Sequence, residues 1–285
     1  MSQRVAVVTD STASLPAELA AEHGVVVVPL QVIIGASAYD EGAPEATPEL
    51  VAAALRAWTP VSTSRPSPEL LLARYEELAA QGYEAVVSVH LSGEMSGTVE
   101  SAQVAARRAP LPVAVVDSRQ VGIATGYAAL SAAAVAAAGG DVEAVAAAAR
   151  DRAAASLSLF YVDTLEYLRR GGRIGAAAAL FGGALAVKPL LQITDGKVGS
   201  LERVRTTGRA LARLEDLAVQ AAGEQRVEVS VAHLANPDRA ADLAARLSER
   251  LGEQVVGEVA AGELGAVLGA HVGPGMIAVC VAPVP

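Results

Sequence analysis

Short β-branched runs alternate with longer alanine-rich stretches through the first half of the chain. Residues 4–8, 25–29, 31–34, 85–91 and 113–116 carry the composition expected of strands. Ser14-Leu15-Pro16 followed by Glu18 marks a helix start with Ser14 as its cap, and Ser67-Pro68-Glu69 opens a helix over 70–81. Residues 99–108 and 126–138 read as two more helices. Strands that alternate with helices in this way predict a mainly parallel sheet with helices on both faces.

Gly139-Gly140-Asp141 interrupts the alternation, and a helix restarts over 142–155. Beyond Ser156 the strands come closer together, at 159–162, 190–194, 197–201, 228–233, 254–259 and 276–282. Asp195-Gly196 between two of them is a hairpin turn signal. Helices are expected at 165–169, within 176–186, at 208–222 and at 237–251. The pattern therefore predicts an α/β protein of two domains. Residues 1–155 build the mainly parallel sheet, and residues 156–285 build a second α/β domain on a mixed sheet. No repeat of 20–50 residues is present, which excludes a solenoid.

Three of the predicted parallel strands run into hydroxyl-bearing loops: Asp10-Ser11-Thr12, Ser92 to Thr98, and Asp117-Ser118. Open parallel sheets bind ligands beyond the carboxyl ends of their strands. The loop Ser92-Gly93-Glu94-Met95-Ser96-Gly97-Thr98 leads into a helix, whose first N–H groups lack internal partners and attract anions. Asp10 and Asp117 are expected to brace these loops through backbone hydrogen bonds. Thr63-Ser64-Arg65-Pro66-Ser67-Pro68 is a second donor-rich segment, stiffened by its prolines and suited to a carboxylate as well as to a plain turn. His271, before Gly273-Pro274-Gly275, is either a structural histidine or one that the glycines bring close to a ligand.

Composition narrows the chemistry. Hydrophobic residues make up 52% and charged residues 19%, enough for a large core and unlike a disordered chain. Aromatics at 3% offer little to stack on nucleobases, and the net charge of −9 argues against nucleic acid. Between Glu166 and Arg213, however, nine basic residues face three acids, so a +6 segment sits in an otherwise −15 chain. That segment reads either as solvated helix faces or as a surface for phosphate or a partner. The single cysteine, Cys280, excludes an intrachain disulfide, which suits a reducing cytoplasm. The uncharged stretch 175–187 is too short to span a bilayer.

Catalytic patterns are missing. The histidines, His23, His90, His233 and His271, show no metal-ligand spacing. Glu94 replaces the first glycine of a Gly-x-Ser-x-Gly elbow around Ser96, and there is no phosphate-binding Walker loop. No catalytic residue, metal or cofactor is assigned.

Several segments, taken in order, carry a resemblance. They are Val8-Thr9-Asp10-Ser11-Thr12, Thr63-Ser64-Arg65-Pro66-Ser67, residues 91–102 and Val116-Asp117-Ser118. They continue with Leu165-Glu166-Tyr167-Leu168-Arg169-Arg170-Gly171-Gly172-Arg173-Ile174, Lys188-Pro189-Leu190-Leu191, Asp195-Gly196-Lys197, Arg203-Val204-Arg205-Thr206 and His271-Val272-Gly273-Pro274-Gly275. Together they resemble the DegV family, fatty-acid-binding proteins that serve bacterial fatty-acid kinases. The resemblance implies two α/β domains gripping one long-chain fatty acid in a tunnel between them. It implies that Thr63 and Ser96 hold the carboxylate, with His271, Ser64 and Gly97 beside them. A separate ATP-dependent kinase would phosphorylate that carboxylate, and the carrier would deliver the acyl phosphate to phospholipid synthesis. The ligand is then a fatty acid and the partner a kinase. The protein would be a cytoplasmic monomer touching the membrane surface at most transiently.

Burying a sixteen-carbon chain contributes on the order of 11 kcal/mol of gross transfer energy, so an apolar tunnel is required. Residues 175–187, with Leu180 and Phe181, are candidates for its wall or else form an ordinary buried helix. Arg170, Arg173 and Arg205 give the +6 segment a candidate role toward the kinase, the new phosphate or anionic lipid. Two departures from the family stand out: Gly93 and Met95 replace a serine and a leucine common in the loop, and Arg65 stands where glutamine is common. Gly93 would remove a head-group hydrogen bond. Arg65 would either add a charge-assisted bond to the carboxylate or face solvent. Two rival readings stay open: a carrier of another amphiphilic carboxylate without a kinase, and a hydrolase with Ser96 as nucleophile and His271 as base.

Overall fold

Residue parity along the central strands assigns each helix to a face of the first sheet. In the computed structural model, which describes residues 3–180 and 188–284, four parallel strands lie in the order Val25–Val28, Val5–Asp10, Ala85–His90, Val113–Asp117. Val5, Val7, Val87 and Val89 pack with Ala128, Ala132, Val145 and Ala149, on the helices Ile123–Ala137 and Val142–Ala155. Ala6, Val8 and Val86 point the other way, onto Leu71, Tyr75, Ala102 and Ala105 of the helices Pro68–Ala80 and Thr98–Ala106. Successive side chains of a strand alternate between faces, and a sheet covered on both sides is therefore continuously apolar.

The chain divides into two compact units, Met1–Gln31 with Ser64–Ala155, and Val32–Thr63 with Ser156–Pro285. The sequence predicts a single boundary after residue 155; the second unit also takes in residues 32–63, whose short strands give no signal of where they dock. In that unit a mixed sheet runs Lys197–Val204, Lys188–Thr194, Leu157–Tyr161, Ile277–Pro283, Val227–His233, Ala260–Glu263. The amphipathic helices Thr207–Ala222 and Pro237–Leu251 bury Leu211, Leu214, Leu243 and Leu247 against it. Asp195 and Gly196, at φ 52° and 78°, make the tight hairpin between the first two strands. Residues 32–63 contribute the helix Pro48–Arg56, which packs on the helix Ala266–Val272. Glu41 accepts a 2.8 Å bond from the Val267 N–H at the start of that second helix.

Four local expectations are corrected. Ser14 does not cap the first helix: it sits at φ 52°, and Ala17–Glu22 starts after Pro16 without a side-chain cap. The strand expected at 254–259 forms instead at Ala260–Glu263, while Val255 makes only an isolated bridge to Val227. Residues 63 and 64 close a strand, Val61–Ser64, instead of lying in a turn; His271 rides on the helix Ala266–Val272. Of the candidate tunnel wall, Gly175–Leu180 forms a 3-10 turn, and Phe181 with residues 182–187 lies outside the described residues. Cys280 is buried as expected, and no helix among the described residues is long and apolar enough to cross a membrane.

Candidate functional site

In the first unit the loop after Ala85–His90 is fixed from beneath. The buried Asp10 carboxylate accepts from Thr12 N–H and hydroxyl through one oxygen. Through the other it accepts from Leu91 N–H at 3.1 Å and His90 Nδ1 at 2.9 Å. Behind His90 the chain continues: Ser88 Oγ lies 2.8 Å from His90 Nε2, and the Tyr75 hydroxyl donates to Ser88 Oγ at 2.9 Å. Burial pushes the Tyr75 hydroxyl up to about 12, so it stays a donor. Every proton in this series then points toward Asp10. The order Ser-His-Asp is that of a hydrolase triad, yet Ser88, His90 and Asp10 are fully buried and no substrate reaches them. His90 carries no candidate role in the sequence; the feature that pairs it with Asp10 is that the two residues end adjacent parallel strands.

Further along the loop, Asp117 accepts from the N–H of Gly93 at 3.2 Å and of Arg119 at 2.9 Å. A Cβ on Gly93 would lie 2.9 Å from Asp117 Oδ2. Gly93 is therefore a close-packing position against Asp117, which accounts for a residue without a side chain there. Ser96 is half-buried, its N–H closes a turn onto Ser92 O at 3.0 Å, and its hydroxyl lies 2.9 Å from Thr98 Oγ1. Two hydroxyls carry two protons and their mutual bond uses one; with the fully buried Thr98 as its donor, the half-buried Ser96 keeps its own proton for a ligand. Arg65 is solvent-exposed, and its Nη1 bonds Gly97 O at 2.9 Å and Glu100 Oε2 at 2.7 Å. Ser64 Oγ turns back onto the Arg65 carbonyl at 3.3 Å.

In the second unit Thr63 and His271 meet, with Oγ1 and Nε2 2.8 Å apart. They line a pocket of about 410 Å³ whose walls also include Trp58, Tyr167, Arg170 and Arg173. Burial, and then the Arg173 guanidinium, push the His271 imidazole down to about 4, so the ring is neutral near pH 7. Its Nδ1 is buried without a hydrogen bond, and a Cβ on Gly171 would collide with it. An orphan lone pair costs less than an orphan N–H, so the ring proton belongs on Nε2, donating to Thr63. The Thr63 hydroxyl hydrogen is then free for an anion. Gly273 and Gly275 hold this corner in place: both have positive φ, at 75° and 91°, and Cβ atoms would strike Tyr167 and Asp163.

Arg170 is oriented on two sides. Its Nε donates to Glu166 at 2.7 Å, and its guanidinium lies 4.4 Å from the Trp58 ring centroid. Hydrogen bonds from Arg169 and then Arg170 hold the Glu166 carboxyl down at about 2. Arg173 donates to the Gly171 carbonyl. Arg205 is exposed beyond the strand Lys197–Val204 and is not among the pocket's lining residues. Thus Thr63, His271, Arg170 and Arg173 come together in the second unit, and Ser64, Ser96 and Gly97 belong to the first. Among the described residues no group of three or more His, Cys, Asp or Glu side chains is arranged to hold a metal.

Comparison with known proteins gives one consistent result. A family model described as "Uncharacterised protein, DegV family" matches residues 4–284. A DegV domain-containing protein of Streptomyces coelicolor is 52% identical over 281 residues, covering 99% of each chain. A DegV family protein of Thermus thermophilus, described for its fatty acid binding, superposes with a TM-score of 0.91 at 34% identity, covering 99% of this chain and all of the other. DegV of Bacillus subtilis, described as a fatty acid binding protein, gives 0.89 at 32% identity over the same shares.

Proposed function

We propose that this chain, which belongs to the DegV family, binds a long-chain fatty acid by its carboxylate and presents it to a separate ATP-dependent kinase. The observation that carries this reading is the Thr63–His271 pair, a hydroxyl donor set by a neutral imidazole in a pocket that also holds Arg170 and Arg173. A carboxylate suits such a donor: it accepts strongly and asks no proton of the histidine. On the first unit Ser96, followed by Gly97, and Ser64, whose neighbour Arg65 bonds the Gly97 carbonyl, offer hydroxyl chemistry of the same class. The fatty-acid binding described for the Thermus and Bacillus relatives supports the choice of ligand.

In this reading the protein supplies no chemistry of its own. The kinase transfers the terminal phosphoryl group of ATP to a carboxylate oxygen, and the acyl phosphate passes to phospholipid synthesis. Arg170 and Arg173 neutralise the phosphate beside Thr63, and Arg205 meets the kinase. The protein works as a cytoplasmic monomer whose contact with membrane is transient. Native mass spectrometry of the protein purified from cells is expected to show one bound acyl chain. Absence of such a mass, together with no uptake of added palmitate or oleate, removes the proposal. A hydrolase is disfavoured because the Nε2 that a base would use is already bonded to Thr63. Turnover of an acyl ester, lost in Ser96→Ala, would reverse that judgement.

A further inference from the structure

We propose that Arg65 is a positioning residue of the head-group site, latching the segment that carries Ser64 to the loop that carries Ser96. The inference rests on the fatty-acid reading for its purpose but not for its geometry. Arg65 directly follows Ser64, and Gly97 directly follows Ser96. One guanidinium nitrogen of Arg65 donates to the Gly97 carbonyl at 2.9 Å and to Glu100 at 2.7 Å, on the first turn of the helix Thr98–Ala106. The Gly97 carbonyl also accepts the Ser101 N–H at 2.9 Å, so the latch grips the point where loop becomes helix.

Gly97 is the seat of the latch. A Cβ there would overlap Arg65 Nη1 and lie 2.8 Å from Cζ and 2.9 Å from Cδ. The guanidinium thus lies directly against the glycine, and any side chain at that position displaces it. The segment bearing Arg65 is itself stiff. Pro66 restricts the residue before it, and Ser67 caps the helix Pro68–Ala80 through a 3.2 Å bond from Leu70 N–H. A rigid segment joined to a loop through a charge-assisted bond fixes the spacing of their two hydroxyls before a ligand arrives. That removes ordering entropy from the binding step. A direct grip on the carboxylate is the competing role. With Nη1 serving two acceptors, such a grip would fall to Nε and Nη2, and the exchange of Ser96 and Gly97 in ligand-free protein separates it from the latch.

A double-mutant cycle on Arg65→Gln and Gly97→Ala tests the latch, with release of bound palmitate to excess lipid vesicles as the first readout. Each single change is expected to speed release about tenfold, from loss of the charged hydrogen bond to the Gly97 carbonyl, the exposed Glu100 pair adding little. The double mutant should match the singles instead of multiplying them, because the shorter glutamine side chain no longer meets the introduced methyl group. Bound [1-13C]palmitate should show a shifted carboxyl resonance in Arg65→Gln while the melting temperature stays near that of the parent. Multiplicative effects, or Arg65→Gln release equal to the parent's, overturn the proposal. Amide hydrogen exchange of Ser96 and Gly97 in ligand-free protein reads the latch alone. Exchange about tenfold faster in Arg65→Gln supports it even if palmitate fails to bind, in which case only the fatty-acid reading falls. Unchanged exchange overturns it whatever the ligand does.

Discussion

His271 Nε2 lies 2.8 Å from Thr63 Oγ1, although 208 residues separate the two in sequence. The helix Pro48–Arg56 and the helix Ala266–Val272 pack together, and Glu41 closes the N-terminus of the latter. Residues 32–63 are thereby held against the end of the chain, and the histidine sets the direction of the threonine hydroxyl.

Thr63→Val removes the hydroxyl while keeping the shape, and leaves the Nε2 of a buried ring without its partner. Fatty-acid affinity is expected to fall at least tenfold and stability by about 1–3 kcal/mol. Thr63→Ser, which keeps the oxygen, should recover most of both. Equal losses in the two variants, measured by palmitate titration and urea unfolding, would remove the hydroxyl from the account.

His271 should remain neutral well below the usual histidine range, with its imidazole nitrogen shifts unchanged until near pH 4. The unfolded chain takes up this proton near pH 6.5, so between 6.5 and 4 the unfolded state binds more protons than the folded one. Stability is full above 6.5 and falls as pH drops toward 4, by about 3 kcal/mol from this residue. His271→Asn should flatten that part of the stability profile. A parent profile with no slope in that pH window beyond that of the variant contradicts the assignment.

Gly93→Ser introduces the side chain that the resemblance leads one to expect at this place, yet here its Cβ would press on Asp117. The expected result is a loss of about 1–3 kcal/mol by thermal or urea unfolding, with no gain in fatty-acid affinity. A tighter-binding, equally stable Gly93→Ser protein would show that the loop has room for it. Asp117→Ala in the Gly93→Ser background should recover part of the loss if crowding is its cause.

Asp10→Ala strips a buried carboxylate from four donors, Thr12 N–H and hydroxyl, His90 and Leu91 N–H, and should cost more than about 3 kcal/mol. Tyr75→Phe, at the far end of the same series, loses one hydrogen bond and should cost about 1 kcal/mol. A larger cost at Tyr75 than at Asp10 would mean that the bonds do not converge on the carboxylate.

If the proposed kinase partner is right, Arg205→Glu should slow phosphorylation and leave fatty-acid occupancy unchanged, since Arg205 stands outside the pocket lining. Arg173→Glu is expected to disturb both, because Arg173 shares the pocket wall with His271 and acts on its charge. Kinase rates equal to the parent's in Arg205→Glu would take that residue out of the partner surface.

Periodicity decided much of this molecule in advance. The β-branched runs around Val7 and Val87 lie in a sheet buried on both faces, and continuous apolar sequence is what such a sheet requires. Asp195-Gly196 forms its hairpin because both residues accept positive φ locally. Ser67 caps its helix for an equally local reason. Thr63, Ser96 and His271 stood out in the sequence as polar groups in glycine-, proline- and hydroxyl-rich segments. What they touch was not legible there. The Thr63–His271 bond, the seat of Arg65 on Gly97, the approach of Asp117 to Gly93 and the buried series from Tyr75 to Asp10 all join residues far apart in the chain. Residue type and spacing fix local dihedrals and which face is buried. The direction of a hydroxyl, the tautomer of an imidazole and the seat of a guanidinium depend on packed neighbours, and only the tertiary structure brings those neighbours together.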